Sequence, residues 1–502
     1  MQLEAKIKFL KKVNNFSDII KVNSKNFSND IFIYDGNVNI SYKTFDLLLD
    51  KCCHFFQESN ISSKDVLSVV LENSLDFLII YFASIRFGSI VNPIPLTSGV
   101  DGIKKNLDII KPKLIFANED FLKNFNNNKI FVIKNKNFFY KYLKKKYPDN
   151  TLKFNKKKIL GKSIACYYFS SGTTGESKII KYSNQSMVNG QLSLLKSNFS
   201  NIDRPTHLCF LPFGHTSVLR YSIKHCICLG GKIVIENSYW KIKKRFWKIV
   251  KDLRINYFQT VPTILKSIYL AYNKNIISKT KSLCFIGCGS AILDKSFHEN
   301  FQRKFKIKVS NLYGLSETGA THFDNPSDRS RVPGSIGKPL EGVKCKILYK
   351  KKLLYKKNIK GIMFIKSNFL MSGYLNDRKN YLYNGFFKTG DIGRVDNNGI
   401  FHFEDRNKDM IIKGGVNILP SEIERAIIKI NGVKEVAIKG QKHPFFGEDI
   451  ICHVIINKKK TSLKKISSFC ITKLGIFKSP SKFIIHNKFP KTASGKVIKR
   501  NL

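Results

Sequence analysis

The chain has 502 residues, 43% of them hydrophobic, and 87 Lys and Arg against 36 Asp and Glu, for a formal charge of +51. That length exceeds one ordinary core and predicts two or three domains of ~100–200 residues each; the hydrophobic fraction excludes disorder throughout. The charge admits a nucleic acid, an anionic membrane surface or an acidic protein as partner, or plain compositional drift.

The N-terminus, MQLEAKIKFLKK, lacks the apolar core of a signal peptide. Residues 66–71 read as a buried strand. Residues 75–87 have helical length and apolar spacing, with Asn73 and Ser74 as caps and Gly88 as the stop. Strand 89–91, helix 101–110 and strand 114–116 follow. This alternation is a βαβ pattern with a parallel sheet. The Lys- and Asn-rich stretch 118–160 reads as loop and surface helix. The βαβ pattern returns with strand 232–236, an amphipathic helix over 240–253, and strands at 257–261 and 282–286. After a strand near 400–403, the charged run Asp405-Arg406-Asn407-Lys408-Asp409 marks a break. A smaller α+β segment follows, with a helix near 421–428 and strands near 435–439 and 450–456. The expected fold class is α/β: a large N-terminal layered α/β domain with mixed sheets, 1–405, and a small C-terminal α+β domain, 406–502.

The lysine runs at 144–146, 156–158, 350–352 and 458–460 are scattered, and the chain is crowded with Lys, Asn, Ile and Phe, whose codons are rich in A and T. Drift and solvated surface are the favoured account of the charge. Eleven cysteines occur without a Cys-x-x-Cys pair, which argues against a zinc site or disulfide framework. Free thiols fit a reducing compartment, and the most apolar region, 66–96, is broken by Glu72, Asp76 and Arg86. A soluble cytoplasmic protein without a transmembrane segment is expected.

The chemistry-bearing stretch is Ser170-Ser171-Gly172-Thr173-Thr174-Gly175-Glu176-Ser177-Lys178. Its two glycines stand too close together for a Walker loop. Glycine N–H groups, hydroxyls and a lysine still make a phosphate-binding composition. Downstream come Asn311-Leu312-Tyr313-Gly314-Leu315-Ser316-Glu317-Thr318-Gly319, then Lys388-Thr389-Gly390-Asp391. Asp405-Arg406, Gly414-Gly415 and Pro490-Lys491-Thr492-Ala493-Ser494-Gly495-Lys496 complete the series. This ordered set resembles the adenylate-forming superfamily of acyl-CoA synthetases, luciferases and peptide-synthetase adenylation domains, from about residue 35 onward.

The resemblance implies a two-step ligase. A carboxylate attacks the α-phosphorus of ATP, pyrophosphate leaves, and the acyl group passes to a thiol. Ser170, Ser171, Gly172, Thr173, Thr174, Gly175 and Lys178 match the loop over the β- and γ-phosphates, with Thr174 counted among the catalytic groups. Ser177 and Ile179 stand where Pro and Gly are usual. Tyr313 matches the residue that stacks on adenine, next to Gly314, and Gly289 and Ser290 match the segment bordering it. Ser316 replaces a commoner Thr, and Glu317 matches the Mg²⁺ ligand; a hard cation on phosphate oxygens takes few protein carboxylates. Asp391 matches the carboxylate on the ribose hydroxyls, and Arg406 a second ribose or phosphate contact. Lys496 matches the lysine that stabilises charge building on the α-phosphate.

Lys408 matches the hinge on which the small domain turns, and Gly414 and Gly415 the segment that admits a pantetheine arm. Leu211-Pro212-Phe213-Gly214-His215 resembles the acyl-pocket segment, with His215 as its marker. No Asp lies between Leu208 and Cys228 to pair with an amino group, so an uncharged acyl or aryl carboxylate is favoured over an amino acid. The implied ligands are ATP, Mg²⁺ and coenzyme A, or the phosphopantetheine of a separate, acidic carrier protein, since no carrier or thioesterase follows Lys496 and +51 would favour such a partner. A basic nucleic-acid-binding protein that has lost the ATP chemistry is the remote alternative. Intact Glu317, Asp391 and Lys496 speak against it.

Overall fold

The computed structural model describes all residues except 1–2, 37, 123–128, 150–153, 155–157, 170–177, 200–201, 273–279, 378–380, 415 and 492–496, and leaves aside the side chains of 120, 122, 408, 417 and 500. The helix Leu75–Phe87 shows how local signals and burial agree. Ser74 Oγ accepts from Phe77 N at 3.2 Å, and Gly88 closes the far end at φ +91°. The helix is buried on nearly every side, so it needs no polar face.

Strands Val66–Val70 and Ile90–Pro93 flank that helix in sequence and pair in parallel. Leu114–Asn118 and Ile130–Ile133 extend the sheet on one side, Ile164–Phe169 and Ile179–Ser183 on the other, the last antiparallel. Of the loop and surface helix expected over 118–160, the helix is present and a strand is added. Ile130–Ile133 is a sheet strand, and the helix Phe138–Lys146 buries Phe139 and Leu143 while its lysines stay outside. Phe139 packs on Phe55 and Phe116, with ring centroids 5.4 Å away in each case. Two apolar residues four apart suffice to seat a helix that composition calls polar.

A second sheet runs Lys338–Pro339, Gly319–Phe323, Lys308–Leu315, Phe285–Gly289, Tyr257–Thr260, Thr206–Cys209, Lys232–Ile235, Ile31–Asp35, Val38–Ser41. Its middle is parallel and its ends antiparallel. The strand expected over 282–286 lies three residues later. Gly287 and Gly289 are required inside it. A Cβ on Gly287 would meet Tyr257 Oη at 2.4 Å, and one on Gly289 would meet Leu312 O at 2.8 Å. The single helix expected over 240–253 is two, Tyr239–Ile242 and Phe246–Asp252. Arg245 N donates to Ile242 O at 2.8 Å, three residues back, and this tighter turn interrupts the ladder.

The chain packs as two compact units. Met1–Gly289, Leu293–Lys344 and Lys366–Gly385 form one, holding both sheets above; Ser290–Ile292, Cys345–Ile365 and Phe386–Leu502 form the other. Within the second, Phe386–Val395 pairs antiparallel with Lys360–Lys366 and with Phe401–Arg406. A further sheet of Ile411–Lys413, Val416–Ile418, Val433–His443, Gly447–Ile456 and Lys482–Ile485 carries the helices Pro420–Ile427 and Leu463–Leu474. Its core is Ile-rich: Ile411, Ile418, Ile423, Ile427, Ile438 and Ile450. The whole is therefore mixed α/β, with a small α+β fold toward the C-terminus. Ten of the eleven cysteines are buried and Cys284 is exposed. No described helix is long and apolar enough to cross a membrane.

Candidate functional site

In the larger unit, the antiparallel pair Ile164–Phe169 and Ile179–Ser183 closes at the partners Phe169 and Ile179. Ser170, Ser171, Gly172, Thr173, Thr174 and Gly175, which connect them, lie outside the described residues. Lys178 is described. Its Nζ sits 4.7 Å from the Tyr374 ring centroid and 6.0 Å from that of Tyr381. The Tyr374 hydroxyl donates to Glu317 Oε1 at 3.2 Å. Burial, then the neighbouring Glu317 carboxylate, push the Tyr374 phenol up, so it stays a donor at neutral pH. One tyrosine thus joins a lysine to a carboxylate.

Backbone pairing fixes this join. Tyr374 bridges Ile180, Ser372 N donates to Lys181 O at 2.8 Å, and Leu375 N donates to Ile179 O at 2.9 Å, so the segment extends the sheet as an added strand. Met371 N donates to the Glu317 carbonyl at 2.9 Å. Gly314 is forced by close approach: a Cβ there would stand 2.0 Å from Gly319 O. Tyr313, on the strand Lys308–Leu315, is nearly buried, with its ring 5.5 Å from His322. Ser316 offers its carbonyl to Tyr182 Oη at 2.9 Å. Gly289 ends its strand, and Ser290 has φ +68°, a strained value for a residue with a side chain.

His215 lies against Thr97, Nε2 to Oγ1 3.4 Å, and burial pushes its pKa down to about 4, so the ring is neutral. The preceding Gly214 is there because a Cβ would meet Pro95 N at 2.3 Å. Beyond it a small pocket of about 20 Å³ is walled by Tyr168, Tyr182, Gln191, Arg220, Lys224 and Phe369. His215 is not in that wall, though its neighbour Thr216 is. Arg220 and Lys224 come from Leu219–Lys224, one turn of π-helix. Sequence reasoning missed both, along with Tyr374. A signal existed for the first two: cations four residues apart interrupt an apolar run directly after His215. Nothing in the sequence singled out Tyr374.

In the smaller unit, Asp391 and Arg406 are register partners on adjacent strands, with Nε and Oδ1 2.8 Å apart. Asp391 is 0% exposed, and its N–H donates to Thr389 Oγ1 at 3.0 Å. The adjoining Asp405 accepts from Ser421 N at 2.8 Å, which caps the helix Pro420–Ile427. Lys408 forms part of the single turn Asn407–Asp409. Gly414 has φ +53°, and its N–H donates to Phe446 O at 2.8 Å. Lys413 beside it pairs with Asp449 at 2.7 Å. Gly415 and Lys496 lie outside the described residues.

Comparison with known proteins gives the chain its place. Residues 20–375 match the AMP-binding enzyme family, and residues 422–496 the AMP-binding enzyme C-terminal domain. Sulfoacetate–CoA ligase of Cupriavidus necator is 29% identical over 340 residues, 66% of this chain and 65% of the relative. Long-chain-fatty-acid–CoA ligase of Bacillus subtilis is 29% identical over 354 residues, 68% of this chain and 61% of the relative. The matched segment thus spans under two thirds of each of these relatives. The crystal structure of ATP-bound MatB from Rhodopseudomonas palustris superposes with a TM-score of 0.86 at 22% identity, covering 97% of this chain and 98% of that one. At that identity the likeness is one of fold. The match over residues 20–375, well beyond half the sequence, carries the assignment: the chain belongs to the AMP-binding enzyme family.

Proposed function

We propose that the chain is an ATP-dependent acid–thiol ligase, AMP-forming, working in two half-reactions. The observation that carries this reading is the Lys178–Tyr374–Glu317 join beside the 170–177 segment. A lysine on one side of a tyrosine and a carboxylate on the other suit a polyphosphate with its counter-cation. Glu317 would hold Mg²⁺, which neutralises phosphate charge when bound. A lone carboxylate fits that ion, which keeps water and phosphate oxygens as its other ligands; among the described residues no cluster of three metal-binding side chains exists.

In the first step an oxygen of the substrate carboxylate bonds to the α-phosphorus and the bond to the β-phosphate oxygen breaks, releasing pyrophosphate. Lys178 and the Ser170–Gly175 loop hold the leaving phosphates, with Thr174 donating a hydroxyl hydrogen bond. Lys496 stabilises the charge at the α-phosphate. Tyr313, Gly314, Gly289, Ser290 and Ser316 line the adenine side, while Asp391 accepts from the ribose hydroxyls and Arg406 steadies it. The substrate needs no general base, because a carboxylate is ionised at neutral pH.

In the second step a thiol sulfur attacks the acyl carbonyl and AMP leaves. Gly414 and Gly415 flank the thiol arm, and Lys408 is the hinge between the halves of the cycle, with the functional boundary near 405–406. The acceptor is coenzyme A. An acidic carrier protein is the second reading, favoured only by the +51 charge. The proposed location is the cytoplasm, where ATP and coenzyme A are at hand. The two relatives named above differ widely in their acids, so their names do not choose one.

The test is Lys496→Ala. It should abolish acid-dependent pyrophosphate exchange and leave thioester synthesis from preformed acyl-AMP largely intact. Equal loss of both overturns the division of labour. Repeating the thioester assay with coenzyme A and with a phosphopantetheinylated carrier separates the two acceptors.

A further inference from the structure

The pocket behind Thr216 contains more positive charge than a plain acyl chain needs. Lys224 is 5% exposed and enters no ion pair among the described residues. The groups that face it are the thiols of Cys166 and Cys228 and the guanidinium of Arg220. Burial holds both thiols up, hence neutral. Burial likewise pushes Lys224 down, to about 8, and Arg220 adds repulsion. Arg220 is also without an ion pair among the described residues; its neighbours are the hydroxyls of Tyr182 and Tyr168. Two cations in one wall, neither in an ion pair among the described residues, are unfavourable unless something anionic arrives.

Gln191, 1% exposed, lines the same pocket. Its Nε2 donates to Arg220 O at 3.0 Å, while its Oε1, an acceptor without a partner among the described residues, suits a bridging water and does not itself bind an anion. The free volume, about 20 Å³, admits one small polar group at this wall.

We propose that the acid activated by this protein carries a second anionic group at its far end, a carboxylate or a sulfonate, held by Arg220 and Lys224. This rests on reading the pocket as the acyl site of the proposed ligase. The guanidinium offers a two-pronged donor and the buried ammonium a point charge. Sites built for a polar group reject analogues lacking it strongly, by up to about 10⁴–10⁵. The site thereby sorts acids by their far end, while the reacting carboxylate meets the nucleotide.

The experiment uses the full chain and acids of matched length: butanoate, succinate and 3-sulfopropanoate, with octanoate as the long control. Pyrophosphate exchange and ligand-induced shift in melting temperature are read in parallel. Succinate or 3-sulfopropanoate should exceed butanoate at least 100-fold in kcat/KM, and the ratio between those two tells carboxylate from sulfonate. Lys224→Met and Arg220→Met should each collapse that preference by 10-fold or more. Butanoate or octanoate performing as well as the dianions overturns the proposal and leaves the ligase reading standing. A dianion-selective melting shift that Lys224→Met abolishes, without any exchange, supports the pocket and sinks the ligase reading. Neither exchange nor a selective shift overturns both.

Discussion

Arg86 and Lys224 are cations of nearly equal burial, 4% and 5% exposed, each on a helical segment inside the larger unit. Their surroundings differ. Arg86 Nη1 donates to Asp46 O at 2.8 Å and to Asp50 Oδ1 at 2.7 Å, and Nη2 pairs with the Asp46 carboxylate. Its desolvation, which opposes the charge, is outweighed by Asp46 and Asp50, and its pKa rises. Lys224 meets the same desolvation with two thiols and another cation, and its pKa falls to about 8. A buried charge with its counter-ions supplied by the fold is structural. One whose counter-ion the fold withholds is reserved for a ligand or is a cost to the native state.

The comparison breaks most visibly by deletion. Arg86→Ala removes the buried counter-ion of the partly exposed Asp46 and Asp50 carboxylates and should cost about 3 kcal/mol in a denaturant titration. Lys224→Met should leave stability between unchanged and ~2 kcal/mol higher, because it removes an unpaired buried charge. A comparable loss at both positions would show that the two sites do not differ in kind.

The next largest effect is on pH. With Lys224 lowered to about 8 against an ordinary 10.5, the unfolded chain binds more protons between those values. Stability should therefore rise as pH climbs from about 8 to 10.5, relative to Lys224→Met. Over the same range Lys224 loses its charge in the free protein, and kcat/KM for a dianionic acid should fall about tenfold per pH unit above 8. A flat profile contradicts the role given to the ammonium.

The smallest effect concerns a satisfied acid. Asp405→Ala removes the acceptor for Ser421 N and should cost ~1 kcal/mol, read as a modest shift in the denaturant midpoint. It should leave the selectivity between mono- and dianionic acids as it was.

Much of this protein was legible along the chain. Ser74 and Gly88 bounded a helix because caps are local chemistry. The motif glycines marked places of close approach, as Gly314 against Gly319 O shows. The strand expected at 282–286 lies at 285–289, where the neighbours that exclude a Cβ at Gly287 and Gly289 are set by packing and not by spacing. Strand 130–133 was hidden because lysine and asparagine around it outweighed four apolar residues.

By itself the order of the chain determined most of the alternation of strands and helices and the family, since these depend on neighbours in sequence. Only the tertiary structure decided which charges find partners. Arg86 meets residues 36 and 40 positions away, while Tyr374 joins Lys178 to Glu317 from far down the chain. Whether a lysine is solvated, paired or left waiting depends on what folds against it, and that is set by packing rather than by spacing.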